Sequence, residues 1–365
     1  MRNGHLSAEE LRPIYERNGR NAQRTADELG VPATTLKGWQ SYREIRSPFI
    51  VTGRTTLTNL QTGEQVLQWE RESLDRQKAE EARDAAYAAL AGKLPRIASM
   101  APPRASQSEL CNLYTFTDYH LGCLAWREEG GADWDLKIAE RTLIDGFRAM
   151  VAQSPRAHTA IINLQGDFLH TDGLVPATPA HGHILDADSR YPKIVAVAVR
   201  VIRQLVAFAL ERHEQVRLIV AEGNHDESGS VWLRQMFDAL YEDEPRCSVD
   251  TSALPFYTFL WGDTFLGFHH GHKVKNEALP LLFAAQFRAE WGKTSRAYLH
   301  CGHRHHCDEK EYNGATVIQH PTLAARDAYA ARGGWIAERA AQSITYHKRF
   351  GQVGRVFVVP EMLAA

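Results

Sequence analysis

Beyond residue 109 the chain alternates between short apolar, β-branched runs and longer stretches with helical spacing. Leu113-Tyr114-Thr115-Phe116, Ala160-Ile161-Ile162-Asn163-Leu164, Val216-Arg217-Leu218-Ile219-Val220, Phe265-Leu266-Gly267-Phe268, Ala297-Tyr298-Leu299 and Thr316-Val317-Ile318 read as strands. Residues 134–151, 192–213 and 231–241 read as the helices between them. This alternation predicts a layered α/β core of roughly 250 residues.

The segment before it is patterned differently. In residues 1–47, Ser7-Ala8-Glu9-Glu10-Leu11 is a capping box that opens a first helix. A second helix is predicted over 21–29, Gly30-Val31-Pro32 makes a turn, and a third begins at Ala33 with Leu36 and Trp39 on one face. Ala26, Gly30, Val31, Leu36 and Trp39 resemble the helix-turn-helix pattern, an ordinary three-helix bundle being the other reading. Residues 48–108 predict a β-hairpin through Phe49-Ile50-Val51 and Gln65-Val66-Leu67-Gln68-Trp69, a long polar helix over 70–94 and a Pro-rich linker over 95–108. The helix is too polar for a convincing coiled-coil seam. Three segments are thus expected: 1–47, 48–108 and 109–365.

Composition narrows the classes. Lys plus Arg number 42 against 44 Asp plus Glu, a formal charge of −2, which excludes a basic body built to coat nucleic acid. Residues 1–47 carry eight Lys/Arg against six Asp/Glu, a thin electrostatic footprint for DNA binding. No apolar run of about 18 residues exists and no apolar signal core follows the start, so a cytoplasmic protein with no membrane partner is expected. Five scattered cysteines read as reduced thiols. Histidine stands out, at 17 residues.

The first five strands of the core each run into a polar cluster. In order these are Asp118-Tyr119-His120, Gly166-Asp167-Phe168-Leu169-His170, Gly223-Asn224-His225-Asp226, His269-His270-Gly271-His272 and Gly302-His303-Arg304-His305. Ligand sites in α/β sheets collect beyond the carboxyl ends of strands, so the five loops should converge. Asp, His and Asn supply oxygen and nitrogen donors of intermediate hardness, which suit Mn, Fe, Zn or Ni. At least seven donors exceed what one ion needs, so two ions are expected, with one carboxylate bridging them. A local zinc knot from Cys301, His303, His305, His306 and Cys307 is disfavoured by its tight spacing.

This ordered set resembles the calcineurin-like metallophosphoesterase superfamily over roughly residues 110–325. The resemblance implies an α/β fold in which a layered β-sandwich is flanked by helices. It implies two divalent transition-metal ions, manganese first among them. Asp118, His120, Asp167 and His305 would hold one ion; a bridging Asp167, Asn224, His270 and His303 would hold the other. His225 matches the superfamily's non-ligand histidine, which protonates the leaving oxygen or stabilises the phosphoryl oxygens. Asp226 follows it and is placed with it among the catalytic residues.

His270 is chosen over His269 and His272 because the superfamily's ligand directly precedes Gly. Where protein phosphatases of the superfamily carry an acidic residue followed by Arg, this chain has His170 and Thr171. Gly-Asp-Phe-Leu-His instead looks like the second motif of double-strand-break-repair nucleases, and His170 is placed among the catalytic residues, neutralising charge on the phosphoryl oxygens beside His225. The whole arrangement is also similar to phage and prophage members.

The reading that follows is a binuclear metal-dependent phosphodiesterase, a DNA nuclease, in which a hydroxide held between the ions attacks phosphorus. Nucleic acid, DNA before RNA, is the expected partner, and a homo-oligomer is left open. Two alternatives stay open: a phosphoesterase acting on a cyclic nucleotide or phosphomonoester, and a DNA-binding regulator whose phosphoesterase domain is incidental. His181, His183 and Arg190 in the insertion after the second motif, and Arg326 and Asp327 after the core, could reach substrate or be structural.

Overall fold

The computed structural model describes residues 6–18, 21–39, 41–42, 49–58, 65–74, 101–103, 106–180 and 182–363, with 49–58 and 65–74 given by backbone alone. The chain divides into two compact units, Met1–Ala82 and Arg83–Ala365.

The first unit holds helices α1 (Ala8–Arg17), α2 (Ala22–Leu29) and α3 (Ala33–Gly38). The capping box forms as expected: Ser7 Oγ accepts from Glu10 N at 3.3 Å, and Glu10 Oε2 accepts from Ser7 N at 2.9 Å. Asn21 Oδ1 caps α2 by accepting from Gln23 N and Arg24 N. Gly30 ends that helix at φ 66°, a left-handed conformation for which glycine carries no Cβ penalty. Leu11, Tyr15, Ala26, Leu36, Trp39 and Tyr42 form a small buried cluster. Strands β1 (Phe49–Thr58) and β2 (Gln65–Leu74) pair antiparallel. Because β2 runs through Leu74, residues 70–74 of the helix expected over 70–94 are strand instead, and residues 75–94 lie outside the described residues.

The second unit is a two-sheet sandwich with helices on both outer faces. Its strands are β3 (Gln107–Phe116), β4 (Ala157–Leu164), β5 (Gln215–Val220), β6 (Cys247–Val249), β7 (Tyr257–Trp261), β8 (Thr264–Phe268), β9 (Arg296–Cys301), β10 (Asp308–Tyr312), β11 (Ala315–Gln319), β12 (Ala341–His347) and β13 (Gly351–Val358). One sheet runs β13-β12-β3-β4-β5-β6 and the other β10-β11-β9-β8-β7. Within them β3, β4 and β5 are parallel, as are β8, β9 and β11. The longer helices are α4 (Leu136–Gln153), α5 (Tyr191–Arg212), α6 (Glu227–Leu240) and α7 (Leu279–Gln286). Strand β3 begins two residues inside the expected linker, where Gln107 N donates to Arg156 O at 2.7 Å, and Ala101 O already accepts from Arg246 Nη1.

Strand alternation assembles the layers, since successive side chains point to opposite faces. Leu113, Ile161 and Ile219 face inward, against Tyr257, Leu266, Phe268 and Ile318 of the second sheet. Their neighbours Tyr114, Phe116, Ala160, Ile162, Leu218 and Val220 face outward into the large core under α4, α5 and α6. On the far side Phe265, Ala297, Leu299 and Val317 pack with Leu279 and Phe283 of α7. Each fully buried Leu, Ile or Phe contributes about 1.5–3 kcal/mol of transfer free energy, so the inter-sheet layer alone fixes the register of the two sheets firmly. Among the described residues, no helix is long and apolar enough to cross a membrane.

Candidate metal centre

All five polar clusters emerge from the carboxyl ends of β3, β4, β5, β8 and β9, and they meet at one end of the sandwich. Asp118, Asp167, His270 and His303 bring ligand atoms within 4.8 Å of one another, as do Asp118, His120 and His305. The six-stranded sheet supplies both carboxylates, and the five-stranded sheet supplies His270, His303 and His305. Two cross-sheet hydrogen bonds align the halves. His303 N donates to Asp118 Oδ2 at 2.8 Å, and His270 Nδ1 bonds the Gln165 carbonyl at 2.8 Å.

The backbone here is unusual in one respect. Among the described residues, five that are not glycine have positive φ: Asp118 (49°), His120 (47°), Asp167 (49°), His303 (72°) and His305 (58°). All five belong to the ligand set expected from the sequence. Left-handed backbone costs a non-glycine residue on the order of 1–2 kcal/mol, and such strain concentrates at functional sites. Backbone bonds hold it in place: Asp118 N donates to Gly166 O at 3.1 Å and His120 N to Asp167 O at 2.9 Å. At Gly223 a Cβ would lie 2.1 Å from Asp167 Oδ1, so only glycine lets this loop pass so close.

The two carboxylates are fully enclosed. Burial alone would raise Asp118, but His305 and His270 hold it below the ordinary range. Burial likewise opposes ionisation of Asp167, and His270 again holds it low. Burial should strip the proton from His270, yet Asp167 and Asp118 outweigh it and push the ring up to about 10. Its Nε2 lies 3.1 Å from Asp167 Oδ2 and 3.8 Å from Asp118 Oδ1. His305 is raised for the same reason, against its burial, with Nε2 3.3 Å from Asp118 Oδ1. His120, lacking such a carboxylate contact, is driven well down by burial and by His225.

The donor set fits cations. Asp118 Oδ1 and Asn224 Oδ1 are buried acceptors without a hydrogen bond, and a positive ion is what such oxygens would pair with. Asn224 sits between Gly223, which grazes Asp167, and His225, whose backbone N donates to Asp167 Oδ1 at 2.8 Å. Asp118 is common to the cluster with Asp167, His270 and His303 and the cluster with His120 and His305, whereas Asp167, the implied bridge, falls only in the first. His269 turns aside, its Nδ1 accepting from Gly271 N at 3.0 Å and its ring stacked on Phe256.

The expected helpers take distinct places. His225 Nδ1 bonds the backbone carbonyl of His170 at 3.0 Å, which leaves Nε2 as the nitrogen available to a substrate. His170 is buried, and burial followed by the His225 charge pushes it down to about 3. Its backbone carbonyl is the partner of His225 Nδ1. Both carboxylate oxygens of Asp226 are taken up by backbone donors. Its Oδ1 accepts from Asp167 N and Gly223 N, and its Oδ2 from Phe168 N and Leu169 N, at 2.8–3.2 Å. Burial and then Asp167 push this carboxyl up to about 8, while the backbone donors pull it down. Asp226, expected in the chemistry, is therefore a positioning residue that holds the Asp167 loop.

Asp172, passed over in the sequence, does the same for the next loop by accepting from Ser228 N and Gly229 N at the start of α6. Only a carboxylate two residues after His170 hinted at it. Replacing Asp226 with Ala strands four buried N–H groups at about 1–3 kcal/mol each before relaxation. We expect a loss of at least about 3 kcal/mol in urea unfolding; a loss below about 1 kcal/mol would contradict this role.

The zinc knot does not form: Cys301 is buried with Sγ directed at Asn276, and Cys307 is exposed. His183 is exposed at the insertion. His181 lies outside the described residues. Asp327 caps a short helix, Ala328–Arg332, by accepting from Ala330 N.

No family model matches the chain, and no curated protein matches it. Solved structures do. A conserved protein of Streptococcus pneumoniae TIGR4, described as a predicted phosphoesterase, is 10% identical, covering 70% of this chain and 92% of its own, at a TM-score of 0.27. Zinc-bound Vps29 of Entamoeba histolytica is 13% identical, with coverages of 68% and 98% and a TM-score of 0.30. A novel archaeal phosphodiesterase is 13% identical, with coverages of 68% and 99% and a TM-score of 0.34. At this distance neither reaction nor ligand carries over from them.

Proposed function

We propose that this chain is a divalent-metal-dependent phosphoester hydrolase that cleaves phosphodiesters, with nucleic acid, DNA foremost, as its substrate. The observation that carries this reading is the convergence of Asp118, His120, Asp167, His303 and His305, all in left-handed backbone, on two adjoining clusters that share Asp118, one of them completed by His270. Two ions would be held there, one by Asp118, His120, Asp167 and His305, the other by Asp167, Asn224, His270 and His303. When bound, such ions supply positive charge for the phosphoryl oxygens and lower the pKa of water from about 15.7 toward about 7. His225, oriented through Nδ1, holds a proton on Nε2 for the leaving oxygen as general acid. The diester preference is supported by His170 and Thr171 standing where an acidic residue and Arg would serve a protein phosphatase.

The test is a manganese-supplemented panel: bis(4-nitrophenyl) phosphate, 4-nitrophenyl phosphate, and single- and double-stranded DNA. Turnover of the bis-ester and DNA, abolished by chelation, is expected. Turnover of the monoester alone would overturn the assignment.

The helical unit of residues 1–47 we assign to positioning the nucleic acid. A chain beginning at Ala101 keeps every proposed ligand and the Ala101–Arg246 bond. It should hydrolyse the bis-ester at nearly the full rate and bind DNA more weakly. The salt dependence should lose about one to three phosphate contacts, in keeping with the thin positive charge of residues 1–47. Equal salt slopes for the two chains would remove the unit from DNA binding and favour a protein partner for it.

A further inference from the structure

A second cluster stands beside the candidate centre, built by the same loops but using none of its residues. Glu222 follows β5, Glu227 is the first residue of α6, and His272 lies just beyond β8. Their ligand atoms lie within 4.8 Å of one another. An independent feature points the same way. Both ring nitrogens of His272 are shielded from solvent, and neither has a hydrogen-bond partner. The ring stacks parallel to His269 at 5.9 Å and sits 5.3 Å from His270, so packing holds its position. An imidazole with both nitrogens shielded from solvent normally satisfies at least one of them, and a lone pair left over beside two carboxylates is a metal ligand in waiting.

We propose that Glu222, Glu227 and His272 form a third, peripheral cation site that takes a transition-metal ion of the zinc type. One imidazole nitrogen with two carboxylate oxygens matches that ion's preferences. Three protein ligands leave a coordination position that water or a phosphate oxygen can fill. Lys273 is the built-in competitor. Its Nζ lies 3.1 Å from Glu222 Oε1 and 3.3 Å from Glu227 Oε1, and its side chain is half exposed, free to swing out when an ion enters. Two carboxylates against one ammonium leave an uncompensated negative charge, which a divalent ion meets and the lysine alone does not. The site is independent of the hydrolase reading, since it shares no ligand with that centre.

Calorimetric titration of the full chain with zinc alone tests it. Wild type should take up a weaker equivalent beyond those of the candidate centre. The double variant E222Q/E227Q should lose that equivalent and keep the others. K273M should tighten it by about tenfold, because a like charge is removed from a half-exposed site. D167N should weaken the stronger equivalents and leave this one in place, which separates failure here from failure of the main centre. Should the double variant fail to fold, as its melting curve would show, K273M carries the test alone. An E222Q/E227Q titration that superimposes on wild type, or a K273M affinity equal to wild type, overturns the proposal.

Discussion

Asp118→Asn and Asp167→Asn should each lower phosphodiester turnover by about 10³-fold, the effect of roughly 4 kcal/mol on the barrier. Both carboxylates are wholly enclosed and lie against His270, and Asp118 also lies against His305. An amide keeps the shape and removes the negative charge that a cation requires, so metal content should fall together with activity. Asp167 is the proposed bridge, so its amide should deplete both ions, whereas Asp118→Asn and Asn224→Ala should each deplete mainly one. Metal analysis of the purified variants beside their turnover checks this. Either Asp variant retaining full metal and full activity would remove its carboxylate from the ligand set.

The second large effect belongs to His225. Replacing it with Gln leaves the backbone bond from its N–H to Asp167 Oδ1 available, so the Asp167 loop should hold and metal content should be unchanged. Turnover of DNA should nevertheless drop by about 10²-fold or more, the usual worth of a positioned general acid. Nitrophenolate leaves without needing a proton, so the loss on bis(4-nitrophenyl) phosphate should be much smaller. If both substrates suffer equally, the ring stabilises charge on the phosphoryl oxygens instead of delivering a proton.

The clustered polar loops stand out in the sequence more plainly than several of the strands do. The ligand loops were legible because Asp, His, Asn and Gly in fixed short spacings follow apolar runs, and parallel strands deliver such loops to one end. Of the strands not expected from the sequence, β7, Tyr-Thr-Phe-Leu-Trp, carries a plain apolar signature, whereas β10, β12 and β13 do not. Strand β10, Asp-Glu-Lys-Glu-Tyr, is charged and mostly exposed, and exists because it pairs with β11. Strand β12 buries Gln342, Ser343 and Thr345, polar residues whose hydrogen-bond partners are distant in sequence, as where Thr345 Oγ1 donates to Asn112 Oδ1. Strand β13 carries two glycines and an irregular burial pattern. Asp226 was placed in the chemistry because it adjoins His225. Its four backbone partners come largely from the Asp167 loop, nearly 60 residues away, and no local pattern encodes them.

The ligand cluster is split between two sheets, which makes it an alignment gauge. Asp118 and Asp167 ride on one slab and His270, His303 and His305 on the other, while the spacing between slabs is set by Leu113, Ile161, Leu266, Phe268 and Ile318. A slip of about 1 Å between the slabs would leave each of them folded and still spoil the facing geometry, a displacement that can cost 10²-fold in rate. Tolerances in this molecule are thus set far from the reacting atoms, in a greasy layer with no chemistry of its own. A mild repacking there would reach the centre as misregistration long before it showed as unfolding.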